Sequence, residues 1–420
     1  MRVHLAYGRG RLPVDLPDGR TTVVEPSHAA PLADERAAVL AALRRPVASA
    51  PLREIVRGVR SVAVLFTDST RATPNERLIP WLLEEIAEVP RERVVLVNQL
   101  GSHRPNTREE LERLLTPAVV RGWRVVNHEP QNPAMLVAFG TTRDGTPALI
   151  NRHVAEADLR IVTGFIEPHL FAGFSGGPKG IMPGCAGLAT IVSNHGARNI
   201  GDPRAAFGVT EGNPVWEEMR DIALRAGPSF LLNVALDAER RITGVFAGDL
   251  VAAHREGCAF VRRSAMQRVD APFDVVVTTN SGWPLDLNLY QGVKGIAAAA
   301  RIVRPGGTIV LACECEEGVP AGSAFDGLLR DVSGPAETLA RLTTPGFVRP
   351  EQWQAQILAL TQSRARVLLK SSLPDDAVRA CHLEPCHDVG ETVRAELARL
   401  GPAARVAALP QGPLTIPWLA

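Results

Sequence analysis

Charge of one sign is what the sequence most plainly lacks: 46 Lys and Arg stand against 45 Asp and Glu, a formal net charge of +1 over 420 residues. So balanced a chain has no global field with which to gather phosphate polymers and release their counterions, which argues against nucleic acid as a partner. Aromatics are scarce too, with 12 Phe, 6 Trp and 2 Tyr, so the stacking platforms that bind single strands are missing. No segment approaches the roughly 18 consecutive apolar residues of a membrane span. Met1–Gly10 has no apolar run after its basic residues and does not read as a secretory signal. Only 6 cysteines occur, without a C-x-x-C pair, and H-E-x-x-H is absent, so the usual zinc patterns are not there. Cys313-x-Cys315 and Cys381-His382-x-x-x-Cys386-His387 lack the paired spacing of a zinc site. Reduced thiols in a cytoplasmic protein are the expectation.

What is present is ordinary globular material, 45% hydrophobic and 22% charged, enough for a packed core. The length suits two domains, and the segment Val269-Asp270-Ala271-Pro272 marks the expected boundary between residues 1–270 and 271–420. Apolar, β-rich runs alternate with helix-like stretches: Ser61–Thr67, Arg93–Leu100, Leu159–Ile166, Phe273–Thr279, Thr308–Cys313, Val367–Lys370 and Arg405–Leu409. This alternation predicts an α/β fold, two domains with mostly parallel sheets flanked by helices.

The loops after these strands carry the chemistry. Ser61–Thr67 runs into Asp68-Ser69-Thr70-Arg71-Ala72-Thr73-Pro74, where Thr73 is expected to cap a helix through about Ala87. Arg93–Leu100 runs into Gly101-Ser102-His103-Arg104-Pro105-Asn106, after which Thr107-x-x-Glu110 opens another helix. Loops of this kind cluster at the carboxyl ends of strands in open α/β sheets, where ligands bind. Arg71 and His103 are therefore expected to share one crevice, with Asp68 either orienting Arg71 or ending its strand.

After Leu159–Ile166 comes Glu167-Pro168-His169, then a stretch from Gly173 to Gly184 in which seven of twelve residues are glycine or proline. It reads as a site loop, able to turn tightly and approach a ligand. Lys179 within it can reach a phosphate, form a Schiff base or carry another covalent attachment. It is not a P-loop, because Pro178 and Gly180 flank the lysine where G-K-[S/T] is required. His195 follows Asn194 at the end of an expected helix. His103, His169 and His195 each lie in or beside polar, turn-rich segments where catalytic groups are commonly mounted. His4, His28, His128, His153, His254, His382 and His387 lack that setting and read as structural or surface residues. Farther on, Asn280 to Gly295 carries Trp283, Tyr290, Gln291 and Lys294, the last in an Ala-rich helix.

In order along the chain, these segments resemble the lactate racemase family of nickel-pincer-nucleotide enzymes. The matching residues are Asp68-Ser69-Thr70-Arg71-x-x-Pro74, Gly101-Ser102-His103-Arg104-Pro105-x-Thr107, Pro168-His169-x-x-Ala172-Gly173-Phe174-Ser175-Gly176-Gly177-x-Lys179, Asn194-His195, and Leu289-Tyr290-Gln291-x-x-Lys294-Gly295. Leu409-Pro410-Gln411-Gly412-x-Leu414-Thr415-Ile416-Pro417 looks like the family's ending.

The resemblance implies a pyridinium mononucleotide with two sulfur-bearing arms and a nickel bonded to a ring carbon. Lys179 would hold it covalently, His195 would supply the last nickel ligand, and the backbone at Gly176 and Gly177 would receive its phosphate and pyridine. Sulfur and imidazole donors in a square plane suit nickel. It further implies racemisation or epimerisation of a 2-hydroxy acid through a 2-keto acid, by reversible hydride transfer to the cofactor. His103 and His169 would alternate as base and acid, and Arg71 and Lys294 would fix the carboxylate with Gln291 or Tyr290 hydrogen-bonding. With Lys294 in the second half, the active site is expected at the domain interface. The implied partners are a small 2-hydroxy acid and the enzymes that build the cofactor, with neither nucleic acid nor membrane. The sequence leaves the identity of the acid open; Trp283 either restricts the pocket or packs at the domain junction. Three readings from other classes stay open: a pyridoxal-phosphate enzyme anchored on Lys179, a zinc-dependent hydrolase or lyase, and a noncatalytic carboxylate-binding protein.

Overall fold

The computed structural model describes every residue except His28, Ala238, Pro345 and Ala420, so the reading of His28 lies outside the described residues. The chain forms two compact units. A first unit comprises His28–His195 and Arg204–Arg262, and a second comprises Met1–Ser27, Gly196–Pro203 and Arg263–Ala420.

In the first unit a six-stranded sheet runs in the order Ile242–Asp249, Ser229–Leu236, Leu159–Phe165, Val62–Thr67, Val94–Gln99, Arg124–Asn127. All neighbours are parallel except the first pair, which is antiparallel. Near-continuous apolar sequence explains the burial: Val62–Phe66 and Leu159–Phe165 have no exposed position, as expected for strands covered on both faces. Helices Glu35–Arg44 and Asn75–Glu85 contribute Val39, Leu43, Leu78, Ile79 and Leu82 to the same core as Val64 and Phe66. Each such fully buried aliphatic or aromatic side chain contributes about 1.5–3 kcal/mol relative to exposure.

Strand order reverses between Val62–Thr67 and Leu159–Phe165: from the former the chain steps outward to Val94–Gln99 and Arg124–Asn127, from the latter in the opposite direction. A crevice opens at the carboxyl ends of strands where such a reversal occurs. The loops beginning at Asp68 and Ile166 start at that point, side by side.

The second unit repeats the plan with the order Glu384–Pro385, Arg366–Lys370, Val303–Ala312, Phe273–Thr279, Val406–Leu409, Thr21–Val23, all parallel. Here the reversal lies between Phe273–Thr279 and Val406–Leu409, and the loop from Asn280 leads to helix Leu289–Ala299. Cys381 and Cys386 are buried, and His382 places Nε2 on the Leu329 carbonyl at 2.9 Å.

Thr73 does not cap the helix that follows it. The helix begins at Asn75 with Pro74 at the cap and no side-chain cap bond, one residue later than the sequence pattern suggested, which takes the Thr73 hydroxyl out of reach of the first amides. Thr107 and Glu110, by contrast, form the full reciprocal capping box.

Candidate active site

Asp68 follows the central strand of the first unit directly and is 2% exposed. Its Oδ1 accepts the amide and hydroxyl of Thr70 at 2.9 and 2.6 Å, a turn that fixes the carboxylate. Its Oδ2 lies 2.6 Å from His103 Nδ1. Burial works to raise the Asp68 carboxyl, but the His103 hydrogen bond, the Arg71 charge and Thr70 outweigh it and hold the group below its ordinary value. An ionised Asp68 accepts from Nδ1–H, which turns the Nε2 lone pair of His103 outward as a proton acceptor. Arg71 is exposed, its amide donating to the Asp68 carbonyl at 3.2 Å.

The His103 loop is braced from below. Asn98 at the end of its strand donates to Asn106 at 2.9 Å and to Asn127 at 3.0 Å, and Asn106 donates to Ser69 Oγ at 2.8 Å. Arg104 forks onto Glu110 at 2.8 and 2.7 Å, and Gly101 N–H reaches the Gly184 carbonyl at 2.9 Å, tying this loop to the end of the glycine-rich one.

His169 opens a two-residue β-ladder, Pro168–His169 on Gly173–Phe174. Its Nδ1 accepts the Ala172 amide at 3.3 Å, which leaves the neutral ring's proton on Nε2. His103 and His169 thus rest in opposite tautomers, one presenting a lone pair and the other an N–H.

Lys179 sits half-buried in a 3-10 turn, Gly177–Gly180, with its amide on the Gly176 carbonyl at 3.2 Å. Gly176 and Gly177 have φ of +78° and +58°, and a Cβ there would stand 2.3 Å from Asn233 Oδ1 and 2.4 Å from the His254 ring respectively. The turn is pressed onto the sheet from behind, where Asn233 Oδ1 accepts Gly177 N–H at 2.8 Å and His254 donates to the Ser175 carbonyl at 2.9 Å. His254 is buried and pushed down to about 4 by desolvation, slightly offset by that bond. Its neutrality has a consequence for stability. The unfolded ring takes up a proton near its ordinary 6.5 and the folded ring only near 4, so stability is lost as pH falls through that window, by on the order of 3 kcal/mol. His254→Gln, which cannot titrate, is expected to flatten the dependence of thermal midpoint on pH across it; an unchanged slope would count against the assignment.

His195 caps the C-terminus of helix Leu188–Asn194, 4% exposed, its amide on the Ile191 carbonyl at 2.9 Å. Desolvation and then the nearby Lys179 charge push it down to about 3. The ring is neutral at ordinary pH, the form in which imidazole ligates a metal. Phe171 packs edge-to-face against both His169 and His195, with centroid distances of 4.6 and 4.9 Å. Among the described residues no group of three or more His, Cys, Asp or Glu is arranged to hold a metal ion. A metal at His195 therefore needs its other donors from a cofactor. The Lys179 amine and the buried neutral His195 ring fit a tethered group that would bring those donors with it.

In the second unit Tyr290, Gln291 and Lys294 are half-buried on helix Leu289–Ala299, capped by Asn288, whose side chain accepts Gln291 N–H at 3.1 Å. The Tyr290 hydroxyl accepts from Trp353 at 3.1 Å and its ring packs edge-on to Phe325 at 5.4 Å. Trp283 is 46% exposed beneath Arg9, whose guanidinium carbon lies 4.3 Å from the ring centroid.

These groups stand in a chain whose residues 7–208 match the model of the lactate racemase N-terminal domain and whose residues 269–416 match the lactate racemase C-terminal domain. The chain belongs to the lactate racemase family. A lactate racemase of Lactiplantibacillus plantarum is 37% identical over 383 residues, 90% of each protein. One from Thermoanaerobacterium thermosaccharolyticum is 33% identical over 418 residues, 98% of this chain and 97% of that protein. The solved lactate racemase apoprotein from the latter organism superposes with a TM-score of 0.93 at 32% identity, covering 99% of this chain and all of that one. A Thermotoga maritima protein, at a TM-score of 0.67 and 20% identity, shares the fold alone. Membership of the lactate racemase family makes the protein a racemase, and so an isomerase. No helix among the described residues is long and apolar enough to cross a membrane.

The sequence singles out Asp68, His103, His169, Lys179 and His195 as candidates but not the contacts that join them. The pairing of Asp68 with His103 rather than Arg71, the Phe171 ring between two imidazoles, and the backing of the lysine turn by Asn233 and His254 are all contacts between separate segments. No local pattern announces them; His169-x-Phe171 in an irregular turn was the only available hint.

Proposed function

We propose that the protein interconverts the C2 configurations of a 2-hydroxy acid, using a nickel-pincer nucleotide held by Lys179 with His195 as its protein ligand. The observation that carries this reading is the arrangement within one unit of a buried Asp68 carboxylate paired with an exposed His103, a second histidine in the opposite tautomer, and a lysine beside a buried neutral imidazole. When bound, the nucleotide supplies the acceptor and donor for the C2 hydride, so that the acid passes through its 2-keto form.

The chain's own part is proton handling and orientation. Arg71 and Lys294 hold the carboxylate, a guanidinium fork and a point charge, with Gln291 and Tyr290 as hydrogen-bond partners. His103, with its Nδ1 proton fixed by Asp68, takes the hydroxyl proton of one enantiomer through Nε2. When the opposite enantiomer forms, His169 acts from its imidazolium form, giving one proton to the oxygen and returning to the neutral ring, and the roles exchange in the reverse direction. The backbone at Gly176 and Gly177 would receive the nucleotide's phosphate and pyridine, with the Gly177 amide held from behind by Asn233 Oδ1. Dedicated biosynthetic enzymes are its expected suppliers and the cytoplasm its expected location.

A chiral assay over a panel of 2-hydroxy acids, on protein matured alongside the cofactor pathway, tests the reading. Lactate, the acid in the name of both curated relatives, comes first. Interconversion of at least one acid is expected; saturable binding without any interconversion would replace an enzyme with a carboxylate-binding protein. Asp68→Asn is expected to lower kcat by about 10- to 100-fold with KM nearly constant, because the amide no longer holds the Nδ1 proton as firmly. Nitrogen-15 NMR of the His103 ring should show that tautomeric preference weakened. Unchanged kcat and tautomer in the variant would remove Asp68 from proton transfer.

A further inference from the structure

The proton and the hydride leave neighbouring atoms of the substrate, the hydroxyl oxygen and C2. The imidazole that exchanges the proton and the imidazole that fixes the metal must therefore stand at a set separation. We infer that Phe171 sets it: the ring is a positioning residue, a rigid spacer between His169 and His195. This inference rests on the reading just given.

Three observations support it. Phe171 meets His169 at 4.6 Å with an interplanar angle of 81° and His195 at 4.9 Å with 76°, so one phenyl ring makes an edge-to-face contact with each imidazole. It is 4% exposed, and a ring enclosed to that degree has little freedom to slide. Its backbone is pinned as well: the Phe171 carbonyl accepts from Asn213 Nδ2 at 2.8 Å, and the Asn213 Oδ1 caps helix Pro214–Arg225 through Val215 and Trp216 at 3.0 and 3.3 Å. The spacer is thus anchored to a twelve-residue helix rather than to its own loop. An aliphatic side chain of similar bulk would fill the space without presenting a flat face and edge to both imidazoles, and a displacement of the order of 1 Å at a reacting group costs about 100-fold in rate.

The test combines two variants with a measurement that needs no cofactor. In wild-type apoprotein, ring protons of both His169 and His195 should carry ring-current shifts that disappear together in Phe171→Leu. In matured protein Phe171→Leu should keep the adduct on Lys179 by intact mass yet lose about 100-fold in kcat with KM changed less than about threefold, while Phe171→Tyr, which keeps the ring, holds kcat near wild type. A Leu variant with wild-type kcat, or wild-type apoprotein whose histidine ring protons lack the shifts, overturns the inference. Should the Leu variant not fold, a tenfold or greater fall in kcat for Phe171→Tyr with its ring-current shifts intact does the same. Wild-type protein that carries the adduct and still racemises nothing sinks the preceding reading instead.

Discussion

Alanine at His103 or at His169 is expected to lower racemisation by about 10²- to 10⁴-fold in matured protein, with the adduct on Lys179 still in place. An alcohol hydroxyl is a far weaker acid than imidazolium, so hydride loss needs a positioned imidazole to take its proton and the return step an imidazolium to give one back. Each substitution also removes a different structural bond. Without His103, the buried Asp68 carboxylate loses its 2.6 Å partner, and an unsatisfied buried acceptor costs about 1–3 kcal/mol. Without His169, Phe171 loses one of its ring contacts and Ala172 N–H its acceptor. Thermal unfolding separates these costs from the chemistry: the fall in turnover should far exceed any that a modest loss of folded fraction explains. Turnover within about tenfold of wild type in either variant would take that histidine out of acid–base catalysis.

Lys179→Ala is expected to abolish activity to the limit of detection, with no adduct by intact mass. Lys179→Arg is the sharper test. If the lysine served only as a charge beside a phosphate, a guanidinium would substitute in part, since both cations bind phosphate. If the amine is acylated, arginine cannot replace it and activity should be as low as in the alanine variant. Partial activity in the arginine variant would argue for a noncovalent role.

Much of this was legible in the sequence because α/β folds write their plan locally. The run Val62-Ala63-Val64-Leu65-Phe66 can only be a strand covered on both faces, and the strand at Leu159–Phe165 reads the same way. Thr107-x-x-Glu110 announces its helix by a capping box confined to four residues, which is why that boundary agrees with the structure. Thr73 misled because Pro74 shifted the first turn by one residue. The strands Ser229–Leu236 and Ile242–Asp249 went unread, although they complete one side of the first sheet and place Asn233 under the lysine turn. Nor does the linear order of residues show that Met1–Ser27 clusters with Arg263–Ala420, an association made when Thr21–Val23 pairs with Val406–Leu409. Site residues were visible as types in loops, whereas their partners were set by strand order, which a single sequence leaves undetermined.

The decisive measurement is intact mass and nickel content of wild-type protein produced together with the cofactor pathway, followed by peptide mapping. The account predicts an added nucleotide mass confined to the Lys179 peptide and stoichiometric nickel, with the metal lost and the organic adduct retained in His195→Ala. Active protein with an unmodified Lys179 and no nickel would contradict it.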